Sequence, residues 1–161
     1  MPTQYPMPTD AAVREVLSTI MGRAVTVAAS AAGNPDAASP GVVADYGVDD
    51  GPVAVCCYAD VRLTNALGGV LSEEPAESVE AASAEGRIDD KTVESWNEIV
   101  TQLARLLNSP DTPALRVRGV HRTPGELSDE TSALLAQPGA LRSFDVTVAD
   151  YGTGTLSLAV R

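Results

Sequence analysis

Two stretches of this chain, 105 residues apart, read almost alike: Val42-Val-Ala-Asp-Tyr-Gly47 and Thr147-Val-Ala-Asp-Tyr-Gly152. Each is followed by a turn and an apolar run, Val53-Ala-Val-Cys-Cys57 in one case and Leu156-Ser-Leu-Ala-Val160 in the other. A second pair of matches lies upstream, where Glu15-Val-Leu-Ser18 parallels Glu98-Ile-Val-Thr101 with carboxylate and hydroxyl three residues apart in both. Agreement of order predicts two related halves, each joining an amphipathic helix to a β-hairpin. The second half carries about 22 more residues between its helix and its hairpin. Asp45 and Asp150 sit beside Tyr-Gly, which is ordinary turn chemistry, and both read as hairpin residues.

The rest of the chain fits this outline. Residues 1–8 hold three prolines and read as a loose tail, leaving a single domain over 9–161. Thr9 or Asp10 suits a helix N-cap, Val13, Val16, Leu17, Ile20 and Met21 recur at helical spacing, and Gly22 marks the stop. Residues 24–30 read as a strand and 31–40 as a loop. Gly41–Val48 and Pro52–Ala59 form a hairpin across Asp49-Asp50-Gly51, and Asp60 caps a short helix to Ser72. Between Glu73 and Gly86 the composition turns to Glu, Ala, Ser and Pro without clear period, which predicts a mobile surface connection with room for a fragment of helix. From Asp89 or Asp90 to Asn108, Val93, Trp96, Val100, Leu103 and Leu107 make one apolar stripe of a long helix. Leu115 to Arg122 alternates as a half-buried strand, Ser128 to Ala136 reads as a short helix, and Ser143–Tyr151 with Thr155–Arg161 as a last hairpin. Hairpins mixed with helices point to an α+β fold on a mostly antiparallel sheet.

Composition removes several classes of function. Eleven basic residues face 22 acidic ones, a formal charge of −11, and the arginines are scattered. No basic stripe exists to neutralise phosphates, so neither nucleic acid nor an anionic membrane is an expected partner. Cys56 and Cys57 are adjacent, so in a strand they point to opposite faces and read as reduced, buried thiols. With His121 the one histidine, no metal site of the usual Cys/His kind is expected, and no cofactor fingerprint is present. His121 itself, set among arginines, reads as a surface residue. Without a secretory leader pattern or an apolar stretch long enough to cross a bilayer, the chain reads as cytoplasmic.

The segment Asp90-Lys-Thr-Val-Glu-Ser-Trp-Asn-Glu98-Ile-Val-Thr101, taken with the order of elements from Thr9 onward, resembles the CheC/CheX family of chemotaxis phosphatases. The resemblance implies a pseudo-twofold α+β domain with a mostly antiparallel sheet and two long helices. It implies a response-regulator receiver domain as partner, two-component or motility signalling as context, no cofactor, and a possible homodimer paired through its sheets. Members of the family hydrolyse the receiver's aspartyl phosphate with a Glu-x-x-Asn motif on an exposed helix face. The amide holds the attacking water and the carboxylate engages a basic group of the receiver. Here Glu98 matches the acid, but Thr101 stands at the amide position, and in the first half the counterparts are Glu15 and Ser18.

Three readings of the long helix stay open. In the first, Glu94, Glu98, Thr101, Gln102 and Arg105 form a receiver-binding face that has lost catalysis. In the second, Thr101 or Gln102 replaces the amide, and with Glu98 the chain is a working phosphatase. In the third, those residues are only the solvated side of an amphipathic helix, and the domain is a scaffold with no receiver partner.

Overall fold

The computed structural model describes residues 5–31, 35, 38–49, 51–110 and 112–161. Residues 1–4 of the expected tail, part of the 31–40 loop, and Asp50 of the first hairpin turn lie outside them. In chain order the elements are α1 (Asp10–Met21), β1 (Val25–Ala29), β2 (Gly41–Gly47), β3 (Val53–Asp60), α2 (Val61–Leu71), α3 (Ala76–Ala84), α4 (Asp90–Leu107), β4 (Arg116–Thr123), α5 (Asp129–Ala136), β5 (Ala140–Val148) and β6 (Gly152–Val160). The strands form one six-stranded sheet in the order β1-β5-β6-β3-β2-β4, antiparallel at every pairing.

That order has a twofold built into it. Read from either end, β1 exchanges with β4, β5 with β2, and β6 with β3, with the axis between β6 and β3. Each half sends its first strand across to the other half's hairpin: β1 pairs with β5, and β4 pairs with β2. The matching helices are α1 and α4, of 12 and 18 residues, although α2 at 11 residues is nearly as long as α1.

The six-residue sequence copies do not lie on this symmetry. Residues 42–47 run inside β2, where Asp45 is buried. Residues 147–152 straddle the β5–β6 turn, where Asp150 is exposed and sits in the left-handed region at φ 70°. Asp45 is therefore a strand residue and Asp150 a turn residue. The shared Asp-Tyr-Gly reflects two different local demands.

Helices α1, α2 and α4 cover one face of the sheet and bury the main core, which includes Val13, Leu17, Leu63, Leu67, Trp96, Ile99, Val100 and Leu103. Thr9 caps α1 by accepting from Ala12 N, and Gly22 ends it at φ 64°. In α4 the apolar stripe turns to the sheet. Trp96 Nε1 donates to Thr64 O (2.9 Å), and Val100 O accepts from Tyr46 Oη (2.8 Å), so two large buried aromatics are also hydrogen-bonded.

The connection after Glu73 is a nine-residue helix, more ordered than the mobile link with a helical fragment that its composition suggests. Helix α3 buries Val79, Ala82 and Ser83. Such small residues give no strong apolar period, yet they suit a close approach to α2, where a Cβ on Gly69 would strike Val79. The tail is also partly seated. Tyr5 and Met7 pack on the core, Pro8 is buried, and its carbonyl accepts from Arg142 Nη1 (3.0 Å). The other face of the sheet carries a second apolar cluster of Val43, Val53, Cys56, Tyr58 and Ala159 beneath Leu134 and Leu135 of α5. Among the described residues no helix is long and apolar enough to cross a membrane.

Candidate functional site

The outward face of α4 is the first candidate. With Trp96, Ile99, Val100, Leu103, Ala104 and Leu107 turned inward, Glu94, Asn97, Glu98, Thr101 and Arg105 are exposed and Gln102 is half-buried. Among the described residues neither an ion pair nor a hydrogen bond occupies the carboxylates of Glu94 and Glu98 or the guanidinium of Arg105. The first turns of the helix are tied down instead. Lys91 lies 3.5 Å from Glu74, Asp90 pairs with Arg122 (2.9 Å), and Ser95 Oγ meets Ser72 Oγ (3.1 Å). The face is thus a fixed rod with open charges along its middle.

Thr101 is placed differently from a water-holding amide. Its Oγ1 donates to Asn97 O one turn back (2.7 Å), so its proton is committed to the helix and only the oxygen lone pairs face solvent. The pattern that sequence reasoning passed over lies one turn earlier. Glu94-Ser95-Trp96-Asn97 is itself Glu-x-x-Asn, and both Glu94 and Asn97 are exposed. The spacing is plain in the chain, four residues before the Glu98 pair. On α1, Glu15 is exposed and Ser18 is half-buried. There Thr19 makes the backbone contact, donating to Glu15 O (2.9 Å).

A second constellation stands on the opposite face, built around Asp45 and His121, which the sequence reads as a hairpin residue and a surface residue. Asp45, 6% exposed, takes two hydrogen bonds on Oδ2, from Thr131 Oγ1 (3.0 Å) and at His121 Nε2 (3.0 Å). Its Oδ1 is buried and has no partner among the described residues. His121 is half-buried, not a free surface residue, because it crosses a gap left by glycine. Asp45 faces Gly119 across the β2–β4 ladder, and a Cβ there would lie 2.9 Å from His121 Cε1. The β2–β4 register also slips just past this point, between Asp45 and Tyr46, a bulge that re-aims side chains locally. Ser128 caps α5 and donates to Thr131 Oγ1 (3.1 Å), completing a chain of hydroxyl, hydroxyl and carboxylate.

The cysteines point to opposite faces, as adjacent strand residues must, and both are free and buried. Burial pushes the Cys57 thiol up to about 12. Burial, and then the nearby Asp45 charge, pushes the Cys56 thiol up further. Neither is poised as a nucleophile. No group of three or more His, Cys, Asp or Glu side chains that could hold a metal ion occurs among the described residues.

The sequence matches no family model and no curated protein. The fold does find likenesses. A FliM from H. pylori, in its complex with SpeE, superposes with a TM-score of 0.66 at 10% identity, over 94% of this chain and 80% of that one. CheX from Borrelia burgdorferi, in a complex with CheY, BeF3 and Mg, gives a TM-score of 0.52 at 12% identity, with 92% of each chain covered. A CheC-like chemotactic protein from Shewanella oneidensis gives 0.51 at 13% identity, again over 92% of both chains. The chain has the CheC/CheX-like fold. Its open antiparallel sheet and helical face are common to CheX, CheC-like proteins and the FliM middle domain.

Proposed function

We propose that this CheC/CheX-like domain binds a response-regulator receiver in chemotaxis or motility signalling through the outward face of α4, and that it is catalytically degenerate at Glu98 and Thr101. The observation that carries the reading is the set of open charges on a firmly anchored helix. Glu94, Glu98 and Arg105 have no partner among the described residues, and Gln102 and Thr101 lie among them. Support comes from the Borrelia burgdorferi structure, in which a CheX of this fold is in complex with CheY. Exposed carboxylates suit a basic group on a partner. The Thr101 proton, held by Asn97 O, leaves the position without a donor to orient water. The test is binding and decay of a phosphorylated receiver. Saturable binding, weakened roughly tenfold by Glu98→Ala (about 1.4 kcal/mol), with no faster loss of phosphate, is the expected result.

The Glu94/Asn97 pair favours a second reading, a working aspartyl-phosphate phosphatase. A carboxylate and an exposed amide one turn apart supply the two groups that positioning of water requires, one turn away from Glu98, Thr101 and Gln102. Accelerated decay abolished by Asn97→Ala would establish it. Decay unaffected by Asn97→Ala but abolished by Thr101→Ala or Gln102→Ala would return catalysis to the Glu98 register.

A scaffold without a receiver is the third outcome, and the FliM likeness gives it substance, since those FliM structures hold FliG or SpeE. Absence of both binding and decay would select it. Self-association belongs to the same proposal. Strand β1, Val-Thr-Val-Ala-Ala, is an uncharged sheet edge, whereas the opposite edge, β4, carries Arg116, Arg118 and Arg122. A dimer through β1 is expected to fall apart with Ala29→Pro, read by light scattering, because the alternation of the β1–β5 ladder turns the Ala29 N–H to the open edge.

A further inference from the structure

Strand β4 is an edge of the sheet whose two ends are closed by the chain's own side chains and whose middle is open. Just before it, Asn108 takes the place of a neighbouring strand: its Oδ1 accepts from Leu115 N (2.7 Å) and its Nδ2 donates to Leu115 O (3.4 Å). At the far end Glu126 does the same for Arg122. Its side chain accepts from Arg122 N (3.0 Å), and its own N–H donates to Arg122 O (3.3 Å). Both backbone groups of Arg122 therefore point away from β2, and alternation along an antiparallel ladder turns those of Val120 the same way. Among the described residues nothing pairs with the Val120 N–H or C=O on this open side. The side chains around the opening are sorted by face. Gly47, two residues from Asp45, lies on the face that carries α5, and a Cβ there would strike the Arg118 guanidinium. Arg116 stands opposite Gly47, so both arginines share that face, and both are exposed. The Arg116 guanidinium has no partner among the described residues. Val117 and Val120, half-buried, turn to the main core on the other face, a spacing that the bulge between them allows.

We infer that the β4 edge, from Arg116 to Val120, docks an extended protein segment in which acidic and apolar residues alternate. The segment adds as a seventh strand, with backbone pairing at Val120, carboxylates on Arg116 and Arg118, and apolar side chains beside Val117 and Val120. Glu126 shows the recognition in miniature, since its one carboxylate takes both the Arg122 N–H and the Arg122 guanidinium (3.1 Å). Charges on a sheet edge can serve only to keep other strands away. In a chain of net charge −11, acids would repel another copy at least as well. Residues 112–125 hold no acid at all, and cations set in an otherwise acidic surface attract an anionic segment. This edge is separate from the outward face of α4, so the inference stands or falls apart from the receiver reading.

The probe is a fluorescein-labelled Glu-Val-Glu-Val-Glu-Val peptide, titrated with the full chain and read by fluorescence anisotropy. Saturable binding is expected, weakened roughly tenfold by Arg116→Glu, an exposed change that leaves the circular dichroism unaltered. Two further peptides of identical charge carry N-methyl groups, one on every Glu and the other on every Val. A strand offers its backbone groups to its two sides in alternation, so one of these peptides is expected to lose binding and the other to keep it. In amide exchange followed by NMR, the unmethylated peptide slows Val120 and leaves Val27, whose N–H faces the β1 edge, unchanged. Absence of binding, equal binding of both methylated peptides, or full affinity in Arg116→Glu would overturn the inference. Protection of Val27 with Val120 still exchanging would do so as well. So would light scattering that shows a dimer lost on Arg116→Glu, since the edge would then belong to a second copy.

Discussion

Strands β2 and β5 occupy equivalent places in the twofold order of the sheet, yet their surroundings differ. Every residue of β2 is buried, on both faces. Along β5 burial alternates, with Phe144, Val146 and Val148 turned to the helices and Asp145 and Thr147 open to solvent. The helical face treats the two halves alike, because α1 and α4 both dock there. The other face does not, because α5 is an addition of the second half's chain that lies over β3 of the first half and, less closely, β6 of its own. Strand order alone therefore does not fix burial. What is laid on the sheet decides which polar residues need partners, and it made Asp45 a buried acid.

The helical face gives the largest expected effect. Trp96 is 1% exposed and bonded to Thr64 O, so Trp96→Ala is expected to cost about 3–5 kcal/mol, enough to leave much of the chain unfolded at 37 °C in chemical denaturation. Leu17→Ala tests the other half. It empties a fully buried site on α1 and is expected to cost roughly 2–5 kcal/mol. A cost below about 1 kcal/mol for Leu17→Ala would mean that α1 is not the energetic counterpart of α4.

The contrast between β2 and β5 is sharpened by two alanines on the same face of the sheet. Val43→Ala removes two buried methyls under α5 and is expected to cost roughly 1.5–2.5 kcal/mol. Thr147→Ala, in the open, is expected to stay within about 0.5 kcal/mol, even though its hydroxyl meets Thr153 (2.8 Å). Equal urea midpoints for the two variants would show that α5 adds no cover worth the name.

These sites also show what the sequence could and could not reveal. Helix α4 was legible because one long stripe of Trp, Ile, Val and Leu has a single period, and the hairpin β2–β3 because Asp49-Asp50-Gly51 parts two apolar runs. Helix α3 was not, since Ala and Ser bury through closeness to glycine and not through size. The crossing of β1 to β5 and of β4 to β2 leaves no mark on either strand alone. Asp45 shows the same limit for a site: its partners lie 76 and 86 residues away, and nothing local separates a buried acid from a turn acid. For the face of α4 the residues were found and their alignment misled. Glu94 and Asn97 stood in the same segment as Glu98, one turn earlier.

The smallest expected effect tests whether the loop after β4 depends on charge. Glu126 accepts from Arg122 N (3.0 Å) and pairs with the Arg122 guanidinium (3.1 Å), and these contacts, the backbone one first, hold its carboxyl below the usual range. A depressed folded value stabilises the protein above the unfolded carboxylate range, and the gain disappears as pH falls through the folded value. Glu126 is about half exposed, so water screens most of the pairing and the contribution is at most a few tenths of a kcal/mol. Glu126→Gln is expected to lower the urea midpoint slightly at pH 7 and to match the unmodified chain near pH 3. Arg122 would keep Asp90 in either case, so the N-terminal end of α4 stays anchored. A Glu126→Gln loss that persists undiminished at acid pH would assign the effect to packing of the loop after β4 and not to its charge.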